Sequence, residues 1–130
     1  MNWTNDWTTA ETNTHQDHVI AHVIGATPLG HFIWDETAYI LLDIGFVWNI
    51  YLDLEMGLVP QSAAVAELNE LRAFVDQADD TSTGPIETVE VFENGDERRL
   101  VLNCESGKLV IETSLKHRWT RIESASISGK

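Results

Sequence analysis

Ile86-Glu-Thr-Val-Glu-Val-Phe-Glu-Asn-Gly95-Asp-Glu-Arg-Arg-Leu-Val-Leu-Asn-Cys104-Glu-Ser-Gly-Lys-Leu-Val-Ile-Glu-Thr-Ser114 reads as consecutive antiparallel strands. Branched and apolar residues alternate with polar ones at a period of two, and Asn94-Gly95 and Ser106-Gly107 interrupt the alternation at hairpin spacing. Both members of an Asn-Gly pair tolerate the positive φ of a type I′ turn, so a hairpin closing there sets Glu90 opposite Arg99 and Val89 opposite Leu100. The second turn sets Leu102 against Ile111 and Cys104 against Leu109. A further turn over Leu115 to His117 leads into a last strand, which makes residues 86–123 a four-stranded antiparallel meander.

Working back from the meander, Asp79-Asp-Thr-Ser-Thr-Gly-Pro85 has the composition of a loop. Residues 61–78 place Val65, Leu68, Leu71 and Val75 on one helical face among good helix formers. Phe46, Trp48, Ile50, Leu52 and Leu54 alternate with Val47, Asn49, Tyr51, Asp53 and Glu55, which predicts one half-buried strand over 46–55. Residues 36–43 fit a short buried helix and a buried strand equally, and His31 to Trp34 reads as a short strand. Thr14, with Asp17 three residues on, predicts a capped helix over 14–25 whose stripe is Val19, Ile20, Val23 and Ile24. Residues 1–12 are polar apart from Trp3 and Trp7, as a flexible or docking arm would be. Helices followed by hairpin-linked strands predict an α+β fold. In it an antiparallel sheet of about five strands, the meander plus strand 46–55, carries two main helices (14–25 and 61–78) on one face.

The length of 130 residues suits a single domain with one core. Charge is distributed unevenly: residues 1–71 hold ten carboxylates and no lysine or arginine, while residues 98–130 hold seven basic and three acidic side chains. A net charge of −13 opposes sequence-independent binding to nucleic acid or to anionic lipid. No run of the ~20 apolar residues a membrane helix needs occurs, and the N-terminal residues lack the features of a secretory signal. A single cysteine excludes an intrachain disulfide framework and, with the missing signal, gives a cytoplasmic expectation.

Candidate chemistry is sparse. His15, His18 and His22 share a stripe of a 14–25 helix, and two imidazoles at i and i+4 can share one divalent metal such as zinc. The His18 and His22 pair lacks the glutamate of an HExxH motif, so further ligands would come from His31 or Asp35. Asp53 and Glu55, following Asn49 and Tyr51 on one strand face, pair two carboxylates, a pattern shared by acid–base sites and by solvated sheet faces. Cys104 lies in an apolar hairpin, where a buried, unreactive thiol is expected. Lys116, His117, Arg118, Trp119 and Arg121, with Arg98, Arg99 and Lys108 nearby, form either an anion-binding face or cross-strand partners for Glu90, Glu112 and Glu123. No phosphate-binding loop or nucleophile elbow is present.

Five tryptophans, Trp3, Trp7, Trp34, Trp48 and Trp119, exceed what a small core readily hides, and exposed aromatics are enriched at protein interfaces. The leading expectation is therefore a non-enzymatic interaction, regulatory or inhibitor protein without a cofactor, binding another protein or a second copy of itself. The alternative is a metal-binding enzyme or sensor built on His18 and His22.

Overall fold

A computed structural model describes residues 7–62, 79–80 and 83–126. Among them the chain forms ten strands and one α-helix, in the order β1 (Thr8–Thr9), α1 (Thr14–Val23), β2 (Pro28–Trp34), β3 (Thr37–Leu42), β4 (Phe46–Ile50), β5 (Met56–Pro60), β6 (Asp79–Asp80), β7 (Ile86–Asn94), β8 (Glu97–Cys104), β9 (Gly107–Ser114) and β10 (Trp119–Ser126). The strands divide into two antiparallel sheets, not one. The first has the order β1-β7-β8-β9-β10; the second has β5-β4-β3-β2 with the two-residue β6 on its far edge.

The meander expected from residue 86 onward forms, with its turns displaced. The first hairpin turns on Gly95-Asp96, pairing Val91 with Leu100 and Phe92 with Arg99. Only Gly95, at φ 62°, occupies the left-handed region there. Asp96 holds the turn in place, because its carboxylate accepts from Ser114 Oγ (2.8 Å) and Lys116 N (3.0 Å) across the neighbouring turn. The displaced register also assembles Val91, Leu100, Ile111 and Ile122 into one apolar row running across four strands. The second turn likewise falls on Glu105-Ser106, pairing Leu102 with Leu109, since Ser106 N donates to Thr83 O (2.7 Å) and Glu105 N to Pro85 O (3.0 Å).

The strand expected over 46–55 ends at Ile50 and reverses through a 3-10 turn, Leu52–Leu54, into β5, which pairs back on β4. Asp53 (φ 62°) and Leu54 (φ 58°) are both left-handed there. The alternation of apolar residues persists in the sequence because Leu54, 1% exposed, still enters the core from within the turn. Residues 37–42, ambiguous in the sequence, are strand β3. A two-residue turn with Asp35 (φ 53°) and Glu36 (φ 69°) joins β3 to β2, the conformation that a type I′ hairpin requires.

Helix α1 starts where a cap was expected, but the cap is Asn13. Its side chain accepts from Gln16 N (2.8 Å) while Gln16 Oε1 accepts from Asn13 N (2.9 Å), a reciprocal capping box. Val19 and Val23 enter the core; Ile24, expected on the same stripe, is the extended C-cap and is exposed. Of the helix expected over 61–78, all but Gln61 and Ser62 lies outside the described residues.

The two sheets meet through a common core. Ile40, Leu42, Trp48 and Ile50 from one sheet pack with Leu100, Leu102, Leu109 and Ile111 from the other, and α1 adds Val19 and Val23. Each such side chain contributes about 1.5–3 kcal/mol on burial. This shared core is why strand 46–50 does not join the meander: its apolar face opposes the meander's face instead of continuing it. A smaller apolar cluster, Tyr39 and Val47 with Phe32 and Val59, lies apart from this core, with the Phe32 and Tyr39 rings stacked 4.7 Å apart. Among the described residues no helix is long and apolar enough to cross a membrane.

Candidate functional site

The three histidines of α1 go three ways. His15 Nε2 lies 2.9 Å from Met56 O, on the strand that α1 packs against, and Gln16 Nε2 donates to Leu54 O (3.0 Å) beside it. The His22 ring meets the edge of Phe46 at 5.8 Å, and His18 is exposed. His31 is buried in β2 and Asp35 lies in the β2–β3 turn, so neither completes the set. Among the described residues no three His, Cys, Asp or Glu side chains are arranged to hold one metal ion. Helical spacing brings His18 and His22 to one face, but further ligands depend on tertiary contacts that the sequence does not display.

Asp53 and Glu55 do not share a strand face, because the chain turns between them. Asp53 pairs with Arg98 Nε at 3.2 Å, tying the β4–β5 turn to β8, and Glu55 is exposed. Cys104 is 2% exposed, and burial pushes its thiol pKa upward, so the nucleophilic thiolate is disfavoured.

Carboxylates compensate most of the basic cluster. Glu112 is buried on β9 between two arginines: Arg99 donates to its Oε2 through Nε and Nη2 (2.6 Å each), and Arg121 to its Oε1 through Nε (2.7 Å) and Nη2 (2.5 Å). The hydrogen bonds to Glu112 raise the Arg121 pKa further. Each guanidinium also lies over an indole, Arg99 at 4.1 Å from the Trp7 ring and Arg121 at 4.9 Å from that of Trp119. Trp7, Arg99, Glu112, Arg121 and Trp119 thus form a ladder across the meander. Cross-strand register produces its centre, since Arg99, Glu112 and Arg121 stand directly opposite one another on β8, β9 and β10. The sequence named the members separately but not their order, which depends on the displaced hairpin turn.

A further ion pair, with a hydrogen bond beside it, fastens the sheets together. Arg118 donates to Glu36 through Nε (3.2 Å) and Nη2 (2.8 Å), and Thr120 Oγ1 donates to Glu36 O (2.7 Å). Asp35, Glu36, Asp53, Leu54 and Arg118 are the described non-glycine residues with positive φ, and four of them line one open cleft of about 610 Å³ with Tyr51 and Leu115. Left-handed geometry in such side chains costs on the order of 1–3 kcal/mol each. Each of these positions belongs to a hairpin connection, where strand pairing on both sides enforces the conformation.

Beside this cleft β10 ends the first sheet, with β2 and β3 packed close to it. β10 is eight residues long and pairs only with β9 among the described residues. At the other edges β1 pairs only with Phe92 and Glu93 of β7, β6 pairs only with Gly30 and His31 of β2, and α1 packs on β5. Ile33 and Trp34, each 38% exposed, lie at the end of β2, which approaches β10. Of the five tryptophans, Trp48 is fully buried, Trp34 is exposed, and Trp7 and Trp119 are partly exposed beneath their arginines; Trp3 lies outside the described residues. No family model, curated protein or solved structure matches this chain.

Proposed function

We propose that this chain is a non-enzymatic protein-binding module, acting in a regulatory or inhibitory role, whose contact is the open edge of β10. The observation that carries this reading is an eight-residue strand edge left without a backbone partner among the described residues, with the partly exposed Trp119 on the same strand and the exposed Ile33 and Trp34 on β2, which approaches it. An uncovered edge presents unpaired N–H and C=O groups to any extended segment that can align with it, and neighbouring aromatics supply contact area at low entropic cost. The Glu112 ladder supports the same reading, because it locks Arg121 on the edge strand before any partner arrives.

Titrating isotope-labelled protein with unlabelled native cell extract tests this. Backbone resonances of Trp119 to Ser126 should shift or broaden first, and their amides should gain protection from exchange. If β10 is unchanged both in the extract and over a dilution series of the labelled chain alone, or if the response centres on another surface, the module does not work through this edge.

A further inference from the structure

Resting on the reading of β10 as a binding edge, we infer that its partner is a second copy of this chain, joined by antiparallel β10–β10 pairing about a twofold axis at Ile122. The argument is one of self-complementarity. In an isologous interface each residue on one side meets its counterpart under the symmetry operation, so the sequence of the edge strand selects the register. Arg121 and Glu123 stand two apart on the outer face of β10, opposite Glu112 and Val110 of β9, and both are exposed. With the axis at Ile122, Arg121 of each copy lies opposite Glu123 of the other, giving two cross-strand ion pairs. Moving the axis by one residue in either direction places Arg121 against Arg121 or Glu123 against Glu123, and like charges directly opposite are unfavourable. The charge pattern therefore disfavours the two neighbouring registers.

The remaining features agree with that axis. Glu112 uses only Nε and Nη2 of Arg121, so the guanidinium retains donors for a second carboxylate. Ile122 is partly buried at the margin of the core, and on the axis it meets its own counterpart, extending the apolar row of Val91, Leu100 and Ile111 from one molecule into the next. Thr120 and Ser124, the next positions on that face, pair with each other across the axis without a charge. The resulting sheet is continuous through both copies, and neither β10 edge remains open, which is one of the ways a free strand edge is kept from uncontrolled pairing.

Sedimentation velocity across a concentration series, with substitutions at three positions of β10, tests the inference. The unmodified chain should show a reversible monomer–dimer equilibrium. Glu123→Arg sets arginine opposite arginine twice and should weaken dimerisation by roughly thirtyfold, taking each cross-strand pair from attractive to repulsive. Ile122→Cys should form an intermolecular disulfide on mild oxidation, whereas Ser124→Cys, whose counterpart lies four positions away in this register, should not; Cys104 is buried and does not compete. Circular dichroism verifies that each variant is folded. A chain that stays monomeric throughout the series overturns the second-copy inference. If β10 still responds in cell extract, the binding-edge reading stands with a different partner. Dimers that tolerate Glu123→Arg, and that form no disulfide in the Ile122→Cys variant, overturn the pairing at this edge.

Discussion

Replacing Glu112 by Gln tests whether the ladder is a structural element or a set of solvated surface pairs. Glutamine keeps the volume and one carbonyl acceptor but removes the charge and turns two amide hydrogens toward guanidinium donors. The Glu112 side chain is 9% exposed, Arg99 27% and Arg121 58%. The Arg99 arm is sheltered enough for the value of a hydrogen bond to a charged group, about 1.5–3 kcal/mol. The Arg121 arm is open to water and is worth about 0.5–1 kcal/mol. The expected loss is therefore about 2–4 kcal/mol, less than for a fully buried triad because both arginines can rehydrate. With a urea slope of about 2 kcal/mol/M, the unfolding midpoint should fall by about 1–2 M with the slope unchanged. Unfolding should be followed by circular dichroism at one low protein concentration, so that self-association does not contribute. The order of losses should be Glu112→Gln, then Arg99→Ala, then Arg121→Ala. A loss below about 0.5 kcal/mol for Glu112→Gln, or equal losses for the two arginines, would refute the claim that burial at β9 sets the strength of this ladder.

Two other perturbations follow from the turns. Asp35 is left-handed and exposed, and it contributes its backbone carbonyl, not its carboxylate, to Thr37 Oγ1 (3.5 Å), so Asp35→Gly should stabilise the protein by about 0.5–1 kcal/mol in thermal or urea unfolding. Destabilisation would mean that the carboxylate has a partner that this geometry lacks. The hydrogen bonds from Ser114 and from the Lys116 amide depress the Asp96 pKa below its usual 3.8. A group whose folded pKa is depressed stabilises the fold above its unfolded pKa, and that contribution fades as pH falls through the folded value. Unfolding curves of the unmodified chain and Asp96→Asn should therefore differ at neutral pH, begin to approach each other below about pH 4 and meet only once pH has fallen through the depressed folded value. A gap that stays constant down to strongly acidic pH would show that the ionised carboxylate does not hold the turn.

Much of the local structure was legible in the chain. Period-two alternation over 86–123 announces strands because adjacent side chains of a pleated backbone point to opposite faces, and the meander forms there, continuing to Ser126. Helix α1 was legible through the Val19–Val23 spacing, while its cap is Asn13 with Gln16 and not Thr14 with Asp17. Turn positions were less so. Asn94-Gly95 was the strongest local signal, yet Asp96 occupies the turn because its carboxylate finds Ser114 and Lys116, which lie 18 and 20 residues away, contacts that no short window contains. The reversal at Leu52–Leu54 was hidden for the converse reason: Leu54 and Asp53 preserve the letters of a strand while Gln16 and Arg98, far off in sequence, hold the backbone in a turn.

What the sequence determined by itself was the class of object: an acidic, tryptophan-rich chain of antiparallel strands and helix, with no motif for nucleotide, thiol or thiolate-metal chemistry. It took three-dimensional packing to set the strands in two sheets sharing one core, to stand Glu112 between two arginines, and to leave β10 with no second strand beside it among the described residues. Composition and periodicity report which face of an element prefers to be dry. They do not report which other dry face it meets, because that choice depends on the free energy of whole sheets packing together and is not written at any one position.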